Sequence, residues 1–169
     1  MAEIKAYQSK AIFGSVLEIS ACDYVKEVNE ASKTAYVVLH LYKQGIPLCS
    51  LINQYMNQLA IKYPHVKFIK SISTTCIPNY PDRNLPTIFI YHEDKMIHQI
   101  VGPVEFNGDK LKQDDLEWKL HRKGVIQSNL DRSMISDFER TDGLGQHEDN
   151  MVKQIRQSIL KGQDSDEDY

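Results

Sequence analysis

Apolar positions change their spacing several times along this chain, and each change marks an element. Ala35 to Leu41 is almost continuously apolar, the pattern of a strand covered on both faces. Leu48, Leu51, Ile52, Tyr55, Met56 and Leu59 then recur at three- and four-residue intervals, the pattern of a helix that buries one side. The first run predicts the central strand and the second the principal helix. Pro47 suits that helix's first position, where no N–H is needed, and Tyr63-Pro64 ends it. Between strand and helix lies the tight turn Gln44-Gly45-Ile46.

In chain order, Ile4, Tyr7, Ala11 and Ile12 share one side of a short helix that Gly14 closes. Val16 to Ile19 reads as a short strand, and Ser20 to Asp23 has capping-box spacing. A helix is expected from about Cys22 to Ala31, with Tyr24, Val25 and Val28 inward. Val66 to Ile69 is a third strand. Ser71 to Asn84, rich in Ser, Thr, Pro and Asn, reads as too polar for core, with room for one helical turn near Tyr80-Pro81-Asp82. Pro86 opens the next strand, because its missing N–H is tolerable at a strand's first residue but not in a central ladder. Thr87 to Tyr91 and Met96 to Val101 then form an antiparallel hairpin across His92-Glu93-Asp94-Lys95. Asp114 to Glu117 repeats the capping-box spacing, and Leu116, Trp118 and Leu120 lead to a helix stop at Gly124. Strand–helix alternation followed by a hairpin predicts an α/β fold with a mixed central sheet of about five strands flanked by helices.

Beyond residue 126 the chain turns polar, and Val152, Ile155 and Ile159 mark one short amphipathic helix. The end, Gln163 to Tyr169, is too acidic to pack and reads as a flexible tail. Three parts follow: an N-terminal helix at 1–14, a domain at 15–126 and a C-terminal extension at 127–169.

Composition narrows the function. At 169 residues, with 41% hydrophobic and 25% charged, the chain can bury one ordinary core. No apolar run approaches a membrane span and the N-terminus lacks a secretory apolar stretch, so a cytoplasmic location is expected. The odd set Cys22, Cys49 and Cys76 argues against a disulfide framework. A net charge of −3 without a dense Lys/Arg block argues against nucleic acid as partner. The histidines His40, His65, His92, His98, His121 and His147 show neither i, i+4 pairing nor cysteine neighbours at ligand spacing. No metal and no cofactor are expected.

The strand, the turn carrying Ile46-Pro47-Leu48-Cys49 at a helix start, and the later proline-led strand together resemble the thioredoxin fold. There, a Cys-Gly-Pro-Cys turn opens the second helix and faces a cis-proline. The resemblance implies a structural cis bond at Pro86. It also puts Ile46 on the first cysteine and Cys49 on the second. The first is the attacking thiolate, so no disulfide can form in this turn and no catalytic residue is assigned. Cys49 remains open to two readings. A helix N-terminus lowers a thiol's pKa, which allows a monothiol oxidoreductase; a single cysteine there is more often a small packing residue.

Longer runs carry a narrower resemblance. His40 to Cys49, Ser73 to Phe89 and Leu116 to Leu120 are very similar to the phosducin-like proteins, in particular the subgroup containing phosducin-like protein 3. This implies a non-catalytic cytosolic co-chaperone that binds the eukaryotic chaperonin and helps clients such as actin and tubulin to fold. Links to caspase regulation and to receptor stability come with the subgroup. Family members also bind G-protein βγ, but the stretch before the domain here is shorter than the family's acidic N-terminal arm, so βγ binding is expected to be weak or absent. The basic stretch with Lys119, Arg122 and Lys123, and the acidic Asp164, Asp166, Glu167 and Asp168, are candidate partner-binding groups. Ser165, followed by three acids, is a candidate phosphosite. A solvated helix face and a solubilising tail explain the same residues equally well.

Overall fold

The computed structural model describes residues 13–141. The expected N-terminal helix, the amphipathic helix around Val152 to Ile159 and the acidic tail lie outside the described residues, apart from Phe13 and Gly14.

A five-stranded sheet in the order β1-β3-β2-β4-β5 organises the molecule. Its strands are β1 (Val16–Glu18), β2 (Val37–Tyr42), β3 (Lys67–Ile72), β4 (Thr87–His92) and β5 (Lys95–Val101). β1 and β2 run parallel to β3, while β4 lies antiparallel to both β2 and β5. The apolar run of β2 is central as expected, and all of its residues are buried. Alternation along that strand divides the core in two. Val38 joins Ile88 and Ile90 under Ile52, Met56 and Leu59 of α2 (Pro47–Lys62) and Leu116 and Leu120 of α4 (Gln113–Arg122). Val37, Leu39 and Leu41 face the other way, toward Val28 of α1 (Val25–Glu30) and toward Cys49, Cys76 and Leu85.

The hairpin turns through Glu93 and Asp94, at φ 54° and 63°. This left-handed pair matches the right-handed twist of the flanking strands. A bulge at Ile90/Tyr91 shifts the register of the hairpin.

Three local expectations need correction. The helix after β1 is a 3₁₀ turn, Ala21–Asp23, followed by the π-helix α1. Its i→i+5 bonding turns the chain less per residue than an α-helix does, so the spacing that placed Val25 inward fails and Val25 is 65% exposed. Tyr24 does point inward, its hydroxyl 2.6 Å from that of Tyr91. Second, the polar stretch from Ser71, which begins inside β3, is partly core. Ser71, Ser73 and Cys76 are buried around the short helix α3 (Ser73–Cys76), and the Ser71 hydroxyl donates to the Ile19 carbonyl at 2.7 Å. A small hydroxyl that finds a backbone acceptor can be buried without penalty. Third, α4 starts earlier than Asp114 to Glu117 implied. The Lys112 N–H donates to the Asp115 carboxylate at 3.1 Å, which leaves Glu117 free for longer-range contacts.

Residues beyond 126 continue onto α4. Residues 127–141 form a strap that contains a 3₁₀ turn, Arg132–Met134, and α5 (Asp137–Thr141) and in which Ile135 is buried.

Candidate functional site

The vestigial turn is built by the end of β2 and the start of α2. Gly45, at φ 93°, makes the reversal in a conformation that costs glycine little. Ile46 precedes the helix in extended conformation and its carbonyl accepts from Ser50 N–H at 3.2 Å. Pro47 occupies the first helical position and is exposed, Ile46 is half-buried, and Leu48 and Cys49 point into the protein. The Leu85–Pro86 bond is cis. Pro86 is buried, and its carbonyl accepts from Gly102 N–H at 3.0 Å. Lys43 and Asp82 form a 2.6 Å ion pair that joins the turn to the segment before the proline. Tyr80 reinforces that segment through a 2.7 Å contact to the Thr87 hydroxyl.

Cys49 is fully buried in the same cluster as Leu41, Cys76 and Leu85. Burial pushes its thiol pKa up, against a smaller lowering by a backbone hydrogen bond at Lys43. Burial therefore works against the thiolate, the nucleophilic form that a helix N-terminus favours. Cys76 is raised for the same reason, with a partial offset from Ser71. Cys22 is the exposed thiol.

Beside the turn, His40 stands on β2, fully buried, with Nδ1 2.8 Å from Asn53 Oδ1 of α2 and Nε2 without a hydrogen-bond partner. Burial lowers its pKa to about 4, the nearby Lys70 charge acts in the same direction, and the Asn53 contact opposes both. The ring is thus a neutral wedge between sheet and helix. Sequence reasoning weighed His40 only as a metal ligand; its place inside an apolar strand was the signal for this role.

The basic candidates do not share one face. Lys119 is buried and 2.8 Å from the buried Glu139 of α5, under the Phe138 ring, whereas Arg122 is exposed and Lys123 half-buried. Asp164, Ser165, Asp166, Glu167 and Asp168 lie outside the described residues. Among the described residues, no group of three or more His, Cys, Asp or Glu is placed to hold a metal.

A model of the phosducin family matches residues 1–151. This chain belongs to the phosducin family. It is 50% identical over 168 residues to phosducin-like protein 3 of Danio rerio, covering 99% of this chain and 66% of that one. It is 59% identical over 133 residues to phosducin-like protein 3 of Mus musculus, covering 79% and 55%. It thus spans between about half and two thirds of the length of these phosducin-like relatives. Solved thioredoxins share the fold. The long form of thioredoxin f from spinach chloroplast superposes with a TM-score of 0.52 at 24% identity, covering 68% of this chain and 91% of that one. A complex of ferredoxin:thioredoxin reductase with thioredoxin f2 gives 0.53 at 20%, covering 67% and 98%. The phosducin chain thus keeps a thioredoxin-like frame with Ile46 and a buried Cys49 at the turn.

Proposed function

We propose that this phosducin-family chain is a redox-inert adaptor of the cytosol, a co-chaperone that binds the chaperonin and modulates the folding of clients such as actin and tubulin. The observation that carries the redox-inert half is the turn: Ile46 stands where a dithiol enzyme needs its attacking cysteine, and Cys49 is buried with its thiol pKa raised. A monothiol oxidoreductase would need the opposite, an exposed and acidic thiol. The co-chaperone half rests on family membership, and regulation of apoptosis or of receptor stability would be exercised through the same adaptor surface.

The test is a quantitative pull-down of the chaperonin from cytosol with this chain and its Cys49→Ser form, beside an insulin disulfide-reduction assay. Equal chaperonin capture by both forms, with no reductase activity, is expected. Capture by neither overturns the co-chaperone reading, and reductase activity that disappears in Cys49→Ser restores the enzyme.

A further inference from the structure

The strap is held to α4 by polar contacts with buried acids, and one of these contacts is a hydroxyl. Ser128 Oγ donates to Glu117 Oε2 at 2.7 Å, while the other carboxylate oxygen of Glu117 pairs with Lys62 at 2.7 Å. The Glu117 side chain is 2% exposed and that of Lys62 53%. Ser128 N–H reaches His121 Nδ1 at 3.2 Å, and Leu130 N–H donates to Ser128 Oγ at 3.1 Å. Residues 126–131 carry no regular secondary structure, and Gln127 and Asn129 on either side of Ser128 are exposed. Asp131 stands three residues after Ser128, the position at which acidophilic protein kinases read a carboxylate.

We propose that Ser128 is a phosphoacceptor, and that its modification unseats the start of the strap from α4. The co-substrate is ATP. A kinase base takes the hydroxyl proton, the Oγ–Pγ bond forms, and the Pγ–O bond to the leaving ADP breaks. The product replaces a hydrogen-bond donor by a group carrying about −1.5 to −2 charges, at a site whose nearest neighbour is a buried carboxylate. Glu117 cannot leave, because it lies on α4 between the core residues Leu116 and Leu120. Lys62 can follow the phosphate outward, because its side chain is half exposed. The strap therefore moves, and Glu117 loses both the Ser128 hydroxyl and the Lys62 ammonium. The consequence is a charge-controlled uncovering of the α4 face. This proposal does not depend on the co-chaperone reading, since its measurements use the chain alone.

The experiment incubates the full chain with ATP and an acidophilic kinase, maps phosphate by peptide mass, and follows hydrogen exchange across residues 127–135. The fluorescence of Trp118, the only tryptophan, reports the α4 face. Phosphate at Ser128, with exchange across 127–135 accelerated at least tenfold and a shifted Trp118 emission, is expected. In parallel, Ser128→Glu should accelerate exchange across the same residues several-fold more than Ser128→Ala. No phosphate at Ser128 after exhaustive incubation overturns the acceptor assignment. Unchanged exchange in the phosphorylated chain, or equal exchange in the Glu and Ala variants, overturns the release.

Discussion

The buried thiols Cys49 and Cys76 and the buried ring of His40 behave differently from exposed groups of the same kind. Cys22 is exposed while Cys49 and Cys76 are buried with raised pKa values. In a thiol titration of the native chain at neutral pH, Cys22 should react within seconds and the other two only at the rate at which the protein opens. Rapid reaction of Cys49 would contradict its packing role. His40 sets a pH limit. Its pKa falls from the ordinary 6.5 to about 4 on folding, so the folded state binds fewer protons than the unfolded state between these values. The stability associated with the neutral ring is complete above about pH 6.5, is lost as pH falls toward 4, and amounts to about 3 kcal/mol in total. Urea unfolding at pH 7.5 and 4.5 measures it. His40→Gln, which does not titrate, should flatten the difference by most of that amount.

At the scale of elements, α4 is held by partners that precede it and partners that follow it in the chain. Lys62 of α2 and Ser128 of the strap share Glu117, Ser136 N–H meets Asp115 at 2.8 Å, and Lys119 meets Glu139. The last pair is almost completely removed from solvent, so removing one partner leaves a buried charge. Glu139→Ala is expected to destabilise the chain by about 3–5 kcal/mol, whereas the double change Lys119→Met with Glu139→Leu should restore most of that loss. Denaturant midpoints for the single and double variants decide it; equal losses in both would mean that the cost does not come from the buried charge left behind by the single change.

Across the whole molecule, β2 separates two clusters that share a strand but not a face. Val28 belongs to the α1 side and Met56 to the α2 side. Met56→Ala should cost about 2–5 kcal/mol by cavity formation. Combined with Val28→Ala, its cost should add to within about 0.5 kcal/mol, since the two sites have no common partner. Strong non-additivity in equilibrium unfolding would show that the sheet transmits strain from one face to the other.

Local chemistry made much of this frame legible in the sequence. The continuous apolar run of β2, the three-and-four spacing of α2 and the proline before Thr87 each state a period or a backbone constraint that few alternatives satisfy. The identity of the turn, with Ile46 ahead of Cys49, was equally plain, because it needs only alignment of a strand, a turn and a helix. What side chains meet across the fold was not legible. The π-helical winding of α1, which turns Val25 outward, depends on packing over the sheet. The burial of Ser71 depends on the Ile19 carbonyl that accepts its hydroxyl, and that of Ser73 on the elements packed over it. Lys119 looked like part of a solvated basic stretch until α5 placed Glu139 against it. Sequence by itself determined the chain order of the five strands, the period of α2 and the missing thiol, because these are written in residues close along the chain. Only the tertiary structure decided which charges are buried, which thiol is accessible and which proton His40 refuses, because desolvation is set by neighbours distant in sequence.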